Sequence, residues 1–427
     1  MTLAERRAGN KPVVAWLGVL LVACTSIATP AFAATDSWWW KTYGIDALHS
    51  QGATGSGVTI AVIDDQIDPS LPVFSGRTLD VVQPSVCEGK SPVSNSADDG
   101  AVHGSTMAAM LIGNGTGAGG INGIAPDASV RFYGYGDQSA GSSCALSSGG
   151  GTPFSTALRK AVDEGAEIVT TSVAYTVNSD DVDAVAYALS RGVIVVAATS
   201  NPETLGGNTT KVLSGLNGVV AATGVDRDAT LQRQDDGKPF VVPFTTVVAA
   251  GVDLPTVGSD GSWDTSGTAT GSSLAAPLVA GMLALEAQKY PAATGNQLIQ
   301  ALIRTTDGRV KEPTFVADGL GFGAAWPATM LSVDPTTYPD ENPLLAKNPQ
   351  MGPTAEQIAA ARGTTSSGAG TQDPSSEARG SGPSAGGVDL LHIAVVGVSV
   401  FAGLLLIAGL VVLAILVGRH RKKGSQR

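Results

Sequence analysis

A serine, a histidine and an aspartate in this chain sit where a proton-relayed nucleophile can be assembled. Ser273 lies in the run Thr270-Gly271-Ser272-Ser273-Leu274-Ala275-Ala276-Pro277, a Gly/Ser turn at which an apolar helix begins, Leu274 to about Tyr290. A helix N-terminus presents unpaired backbone N–H groups and the positive end of the helix dipole. A hydroxyl there can attack a carbonyl carbon while the same N–H groups steady the oxyanion that forms. A plain helix cap would use the same residue types. Pro277 is expected in the first helical turn, where its missing N–H costs nothing.

A serine nucleophile needs a base, and the base needs an acid to fix its tautomer. The chain has four histidines. His392 and His420 flank a long apolar run near the C-terminus, and His49 lies in a polar approach to the first strand. His103 remains, in Asp98-Asp99-Gly100-Ala101-Val102-His103-Gly104-Ser105-Thr106-Met107, where it opens an apolar helix and Gly104 leaves room for another chain to come close. The candidate acid is Asp64. It ends the run Val58-Thr59-Ile60-Ala61-Val62-Ile63, which reads as a buried parallel strand. Open α/β sheets place their chemistry at the carboxyl ends of such strands.

With these residues in the order Asp64, His103, Ser273, the chain resembles the subtilisin-like (subtilase) serine proteases. Their aspartate motif ends a strand as Val-Ile-Asp, here Val62-Ile63-Asp64, and their histidine motif begins His-Gly-Thr, here His103-Gly104-Ser105. Their serine motif, Gly-Thr-Ser-x-Ala-Ala-Pro, corresponds to Gly271-Ser272-Ser273-Leu274-Ala275-Ala276-Pro277. Their oxyanion asparagine follows a strand as Ala-Ala-Gly-Asn, matched by Ala197-Ala198-Thr199-Ser200-Asn201. The resemblance spans roughly residues 40 to 335. It implies that Asp64 orients His103, that His103 shuttles the proton, and that Asn201 helps hold the oxyanion. It also matches Ser172-Val173-Ala174 to the family's Ser-Leu-Gly edge segment, which pairs with extended substrate backbone by strand addition. Two departures stand out. Asp65 follows the aspartate where the family has Thr or Ser; its expected place is the opposite face of the strand, in solvent. Ser200 replaces the glycine at the floor of the primary specificity pocket, which narrows the pocket or marks a degraded site.

The ends of the chain set its expected location. Arg6, Arg7 and Lys11 precede an apolar stretch from Val13 to about Ala28, and Pro30-Ala31-Phe32-Ala33 offers a cleavage site, so residues 1–33 read as a secretory signal peptide. Leu21-Val22-Ala23-Cys24 resembles a lipoprotein box, a rival to cleavage after Ala33. Ile393 to Val417 is an unbroken apolar run of membrane-spanning length, followed by Arg419, Arg421, Lys422, Lys423 and Arg427. The spanning helix is placed at 392–418, and the positive-inside rule puts the tail 419–427 in the cytoplasm and the folded domain outside, on the cell membrane. Residues 34–340 form that domain. Residues 341–391, rich in Gly, Ser, Pro, Thr and Ala, read as a disordered linker with a transient helix over Glu356 to Arg362.

The net charge of the whole chain is −11; discounting the signal region and the tail leaves about −18 on the rest. That sign argues against nucleic acid and against docking on anionic lipid. Removal of Cys24 would leave Cys87 and Cys144, an even pair in polar loops of an exported protein, and a disulfide between them is expected, with two free thiols as the alternative. No Cys/His cluster suggests a metal, no glycine loop followed by lysine suggests a nucleotide, and no cofactor is expected.

Strands are expected near 58–63, 129–135, 167–173, 192–198, 218–223 and 244–250, and helices near 104–112, 154–164, 180–190, 274–290 and 296–305. This alternation implies an α/β fold: a doubly wound, mainly parallel sheet with helices on both faces. The stretch between Ala34 and the first strand is too short for a folding propeptide. Trp38-Trp39-Trp40 is expected to pack on the domain as a belt, with a membrane-interface anchor as the alternative. The short N-terminus, Leu71-Pro72, Cys87, the linker and the single C-terminal span together resemble the mycosins, membrane-anchored subtilases of type VII secretion systems. Two functions follow from the resemblance: a membrane-tethered serine endopeptidase acting on protein or peptide, or a structural subunit of a secretion complex whose protease site is dispensable or inactive.

Overall fold

The structure is a computed structural model that describes residues 37–136, 144–146, 151–173, 175–203, 211–259 and 261–363. The expected signal region, membrane span and basic tail, the linker beyond 363 and Ala174 lie outside the described residues. No helix among the described residues is long and apolar enough to cross a membrane.

One seven-stranded sheet organises the described chain. In chain order its strands are β1 (Thr59–Asp64), β2 (Leu79–Val81), β3 (Ser129–Gly134), β4 (Ile168–Thr171), β5 (Ile194–Ala198), β6 (Val220–Val225) and β7 (Val247–Ala250). Their spatial order is β2-β3-β1-β4-β5-β6-β7, and every pairing is parallel. All six strands expected from the sequence are present. A separate antiparallel pair joins β8 (Leu254–Pro255) to β9 (Thr268–Ala269).

Side-chain alternation divides the core into two layers. Ile60 and Val62 of β1, with Ile194 and Val196 of β5, face one layer; Ala61, Ile63, Val195 and Ala197 face the other. Both faces are buried, so β5 and the middle of β1 (Ile60 to Ile63) are apolar at successive positions rather than at alternate ones. The first layer is closed by α3 (Asp99–Ile112), α6 (Ser272–Lys289) and α7 (Gly295–Arg304), the second by α4 (Pro153–Asp163) and α5 (Ser179–Ser190). The helix α6 is apolar all round and lies almost wholly in the interior, against β4 to β7.

Two short helices, α1 (Trp38–Tyr43) and α2 (Ile45–Ser50), precede the sheet. They pack on the domain, as the belt reading expected. Trp39 is buried, the Trp38 indole N–H donates to the Val252 carbonyl at 3.2 Å, and the Ala250 N–H donates to the Tyr43 hydroxyl at 2.9 Å. Burial outweighs that last bond and pushes the Tyr43 hydroxyl up to about 12. Cys87 and Cys144 are joined, with Cα atoms 4.9 Å apart. The bond ties the loop after β2 to the segment leading into α4.

The C-terminal boundary differs from the sequence reading, which began a linker at 341. The chain instead stays packed through α8 (Pro327–Met330) and a strap that ends in α9 (Ala355–Gly363). Leu344, Asn348 and Ile358 are buried in it. The Lys347 ammonium donates to the carbonyls of Ser214 and Val219, each at 2.6 Å, while burial pulls its pKa down to about 7. Asn217 accepts from the Asn348 N–H and donates its side-chain amide to the Met351 carbonyl. A protein ending at Asp340 is expected to melt at least about 5 °C below one ending at Gly363, because losing even one buried leucine costs about 2–5 kcal/mol. Equal melting temperatures in calorimetry would show the strap to be superficial.

Candidate active site

The sheet changes direction between β1 and β4: after β1 the chain crosses to the edge strand β2, comes back to β3 beside β1, then passes to β4 on the other side and continues to β7. Ligand crevices in open α/β sheets form at such a point, beyond the carboxyl ends of the strands. Here a cleft of about 700 Å³ opens there, bordered by Asp65, His103, Ser172, Asn201 and Ser273 among others.

Asp64 is the last residue of β1 and is fully buried. Its Oδ1 accepts from His103 Nδ1 at 2.8 Å and from the Asp65 backbone N–H at 2.8 Å. An ionised carboxylate accepts only, so the proton sits on His103 Nδ1 and leaves Nε2 as the basic nitrogen. His103 is in the second turn of α3, whose first turn is capped by Asp98 accepting from the Ala101 N–H at 2.9 Å. Gly104 lets the helix close on β1: a Cβ there would lie 2.2 Å from the Gln66 carbonyl oxygen and 2.9 Å from the Phe132 ring. Burial pulls the His103 pKa down, but the charge of Asp64, the hydrogen bond to it and the charge of Asp65 together carry it above its ordinary value.

Ser273 lies in the first turn of α6, whose helix begins at Ser272, two residues earlier than the sequence reading placed it. Pro277 therefore falls inside the helix rather than in its first turn. Having no N–H, it cannot serve the carbonyl four residues back, which is that of Ser273. Ser172 does so instead: its hydroxyl donates to the Ser273 carbonyl at 2.8 Å. The Ser273 hydroxyl in turn donates to the Ser172 carbonyl at 3.4 Å, not to His103. The two serines thus lock the end of β4 to the start of α6.

Asn201 follows β5. Its Oδ1 accepts from the Ser272 N–H at 2.8 Å and from Gln232 Nε2 at 3.1 Å, and Gly271 packs against its Nδ2, where a Cβ would sit 3.1 Å away. Thr199 and Thr223 support the same helix start: the Thr199 and Ser272 hydroxyls are 3.0 Å apart, and those of Thr199 and Thr223 are 2.9 Å apart. The residues expected from the sequence, Asp64, His103, Asn201 and Ser273, are therefore brought to one place.

Two expectations are corrected. Asp65 does not point away into solvent. β1 ends at Asp64, the chain bends at Asp65, and strand alternation no longer applies; its side chain borders the same cleft as His103 and lies against Gly100. Ser200 is buried and the cleft wall is made by Ala198, Thr199 and Asn201 instead. Ser172 and Val173 run past the end of β4, which is flanked by β1 and β5, and line the cleft with Tyr135, Phe154 and Tyr175. His49 is remote from the site, with Nε2 3.0 Å from the Ile124 carbonyl and its ring edge-on to Trp40. Sequence reasoning missed Gln232, which lies in a loop with no recognisable pattern. It also missed the contact of the Ser172 hydroxyl with Ser273, although a proline four residues after Ser273 was a signal for it. Among the described residues no cluster of His, Cys, Asp or Glu could hold a metal.

The subtilase family profile (Peptidase S8) matches residues 55–323, which hold all four of these side chains. The chain belongs to the subtilase family. It is 29% identical over 269 residues to subtilisin NAT of Bacillus subtilis subsp. natto, across 62% of this chain and 65% of that protein. It thus spans somewhat less than two-thirds of that relative. Among solved structures it is similar in fold to the MycP3 protease from the type VII (ESX-3) secretion system, with a TM-score of 0.51 and 21% identity over 72% of this chain and 90% of that one. It is likewise similar to MycP1 from Mycobacterium smegmatis, with a TM-score of 0.51 and 20% identity over 74% and 87% of the two chains.

The electrostatics of the subtilase site give a titration test. Asp65 stabilises the imidazolium, so Asp65→Asn should lower the His103 pKa, and Asp64→Asn should lower it further. NMR titration of the His103 ring in the two variants reads both shifts. An unchanged pKa in Asp65→Asn would mean that the Asp65 charge does not reach the ring.

Proposed function

We propose that this subtilase is a membrane-anchored, extracytoplasmic serine endopeptidase of the mycosin type, working beside a type VII secretion complex. The observation that carries the enzymatic part is the buried Asp64–His103 bond at the mouth of the cleft that also holds Ser273 and Asn201. Ser273 Oγ turns from the Ser172 carbonyl to His103 Nε2, gives up its proton and attacks the peptide carbonyl carbon. The imidazolium formed is steadied by Asp64, which stays ionised. The Ser273 N–H and the Asn201 carboxamide receive the oxyanion. His103 then returns the proton to the leaving amine, and water hydrolyses the acyl-enzyme by the same route in reverse. Substrate backbone lies along the chain that continues past β4 at Ser172 and Val173. No metal or cofactor enters these steps.

The location rests on the sequence: the signal-like N-terminus, the apolar run 393–417 and the basic residues after it. The Cys87–Cys144 bond agrees with an oxidising compartment. The secretion partner rests on the mycosin-like layout and the fold similarity to the two MycP proteases. One observation favours the second reading, a structural subunit with a dispensable site: Ser273 Oγ is bonded to Ser172 rather than to His103.

A serine-directed fluorophosphonate separates the two. It should label the full-length protein at Ser273, and Ser273→Ala should abolish both labelling and peptide hydrolysis without lowering the melting temperature. Asn201→Ala should cut kcat by about 10²–10³-fold with little change in KM. A folded wild-type protein that fails to label would leave only the structural role.

A further inference from the structure

The carboxamide of Asn201 has two faces of nearly the same shape and opposite polarity. Its terminal torsion is broad and roughly two-fold, so packing alone distinguishes the NH2 from the oxygen poorly. The distinction matters at this site. An amide turned with its oxygen toward the reacting carbonyl would repel the oxyanion it is meant to receive.

Two donors decide the orientation, and both meet Oδ1. The first is the Ser272 backbone N–H at 2.8 Å, which can only donate. The second is Gln232 Nε2 at 3.1 Å. Because Ser272 fixes the end of Asn201 that accepts, the Gln232 carboxamide must present its own NH2 to the same oxygen. Turning Asn201 over would set its NH2 against two donors at once.

Gln232 is itself held firmly. It follows Leu231, which is buried and bridges Val225 in an antiparallel pair. The Gln232 carbonyl accepts from the Phe240 N–H at 2.7 Å, and the Arg233–Pro239 bridge continues the same hairpin. The hairpin leaves the end of β6, the neighbour of β5, and so returns Gln232 to the residue that β5 delivers. The side chain is half-buried.

We propose that Gln232 is a positioning residue for the oxyanion site: its Nε2–H holds Asn201 Oδ1 so that the Asn201 NH2 stays turned toward the carbonyl attacked by Ser273. The proposal rests on the reading of Asn201 as an oxyanion donor. Gln232 does not touch substrate in this scheme. It acts only through Asn201, and its contribution belongs to the transition state rather than to substrate binding.

The test is a double-mutant cycle on the full-length protein in detergent, with active sites counted by fluorophosphonate labelling. Gln232→Met keeps the length of the side chain and removes the donor. It should lower kcat by about 3–10-fold, as expected for one neutral hydrogen bond, and leave KM unchanged. In an Asn201→Ala background the same substitution should change kcat by less than about twofold, because the group it positions is gone. Gln232→Glu, nearly isosteric but with a carboxylate against Oδ1, should lower kcat more than Gln232→Met does. A role in packing alone predicts the opposite order. An equal loss of kcat in both backgrounds, or a Gln232→Glu enzyme of wild-type kcat, would overturn the proposal. If Asn201→Ala alone leaves kcat untouched, the reading of Asn201 fails first and the proposal falls with it.

Discussion

A carboxylate with no exposure to water must be met by donors, and much of this site follows from how Asp64 is met. The strand that carries it is buried on both faces, so its end cannot be solvated from above or below. The Asp65 N–H supplies one donor because the chain bends there, and His103 supplies the other. Bringing the imidazole within 2.8 Å requires α3 to lie almost on the backbone after β1, which Gly104 alone permits. Both donors meet Oδ1, and the buried Oδ2 has no hydrogen-bond partner; the bend that turns the Asp65 N–H onto Oδ1 also swings Asp65 into the cleft. The second acid beside the histidine is thus a consequence of the first one's burial.

The other half of the site depends on a missing donor. Pro277 withholds an N–H from the Ser273 carbonyl, and the Ser172 hydroxyl fills the gap. The end of β4 is thereby fixed to the nucleophile's own backbone. The wall along which substrate would lie and the serine that would attack it cannot drift apart independently. Ser272, next in the chain, holds Asn201 through its backbone N–H. Three strands and one helix start are joined through consecutive serines.

The parts legible in the sequence were those with a local signature. β1, β3, β4, β5, β6 and β7 are apolar runs between turns, and Asp64, His103 and Ser273 stand at element boundaries that composition marks. The rest depended on contacts between distant segments. Gln232 lies 31 residues beyond Asn201 on an irregular hairpin, so nothing in either neighbourhood announces the pair. The bend at Asp65 is invisible to a rule of strand alternation that stops holding one residue earlier. The strap 341–363 has linker-like composition overall, yet a few deeply seated side chains, Leu344, Asn348 and Ile358, outweigh the average. A buried lysine answered by two carbonyls is the kind of anchor that polarity scales read backwards.

The course of that strap gives the described domain two unlike ends. In a parallel sheet each crossover helix runs against its strands, so the end of α5 at Arg191 lies at the amino ends of the strands, while the cleft lies at their carboxyl ends. α9 travels along α5, from Gly352 beside Val182 to Ala361, whose carbonyl accepts from Arg191 at 3.5 Å. The described chain therefore departs from the pole opposite the mouth of the cleft. The residues that line the cleft and Gly363, where the described chain ends, thus belong to opposite edges of one sheet.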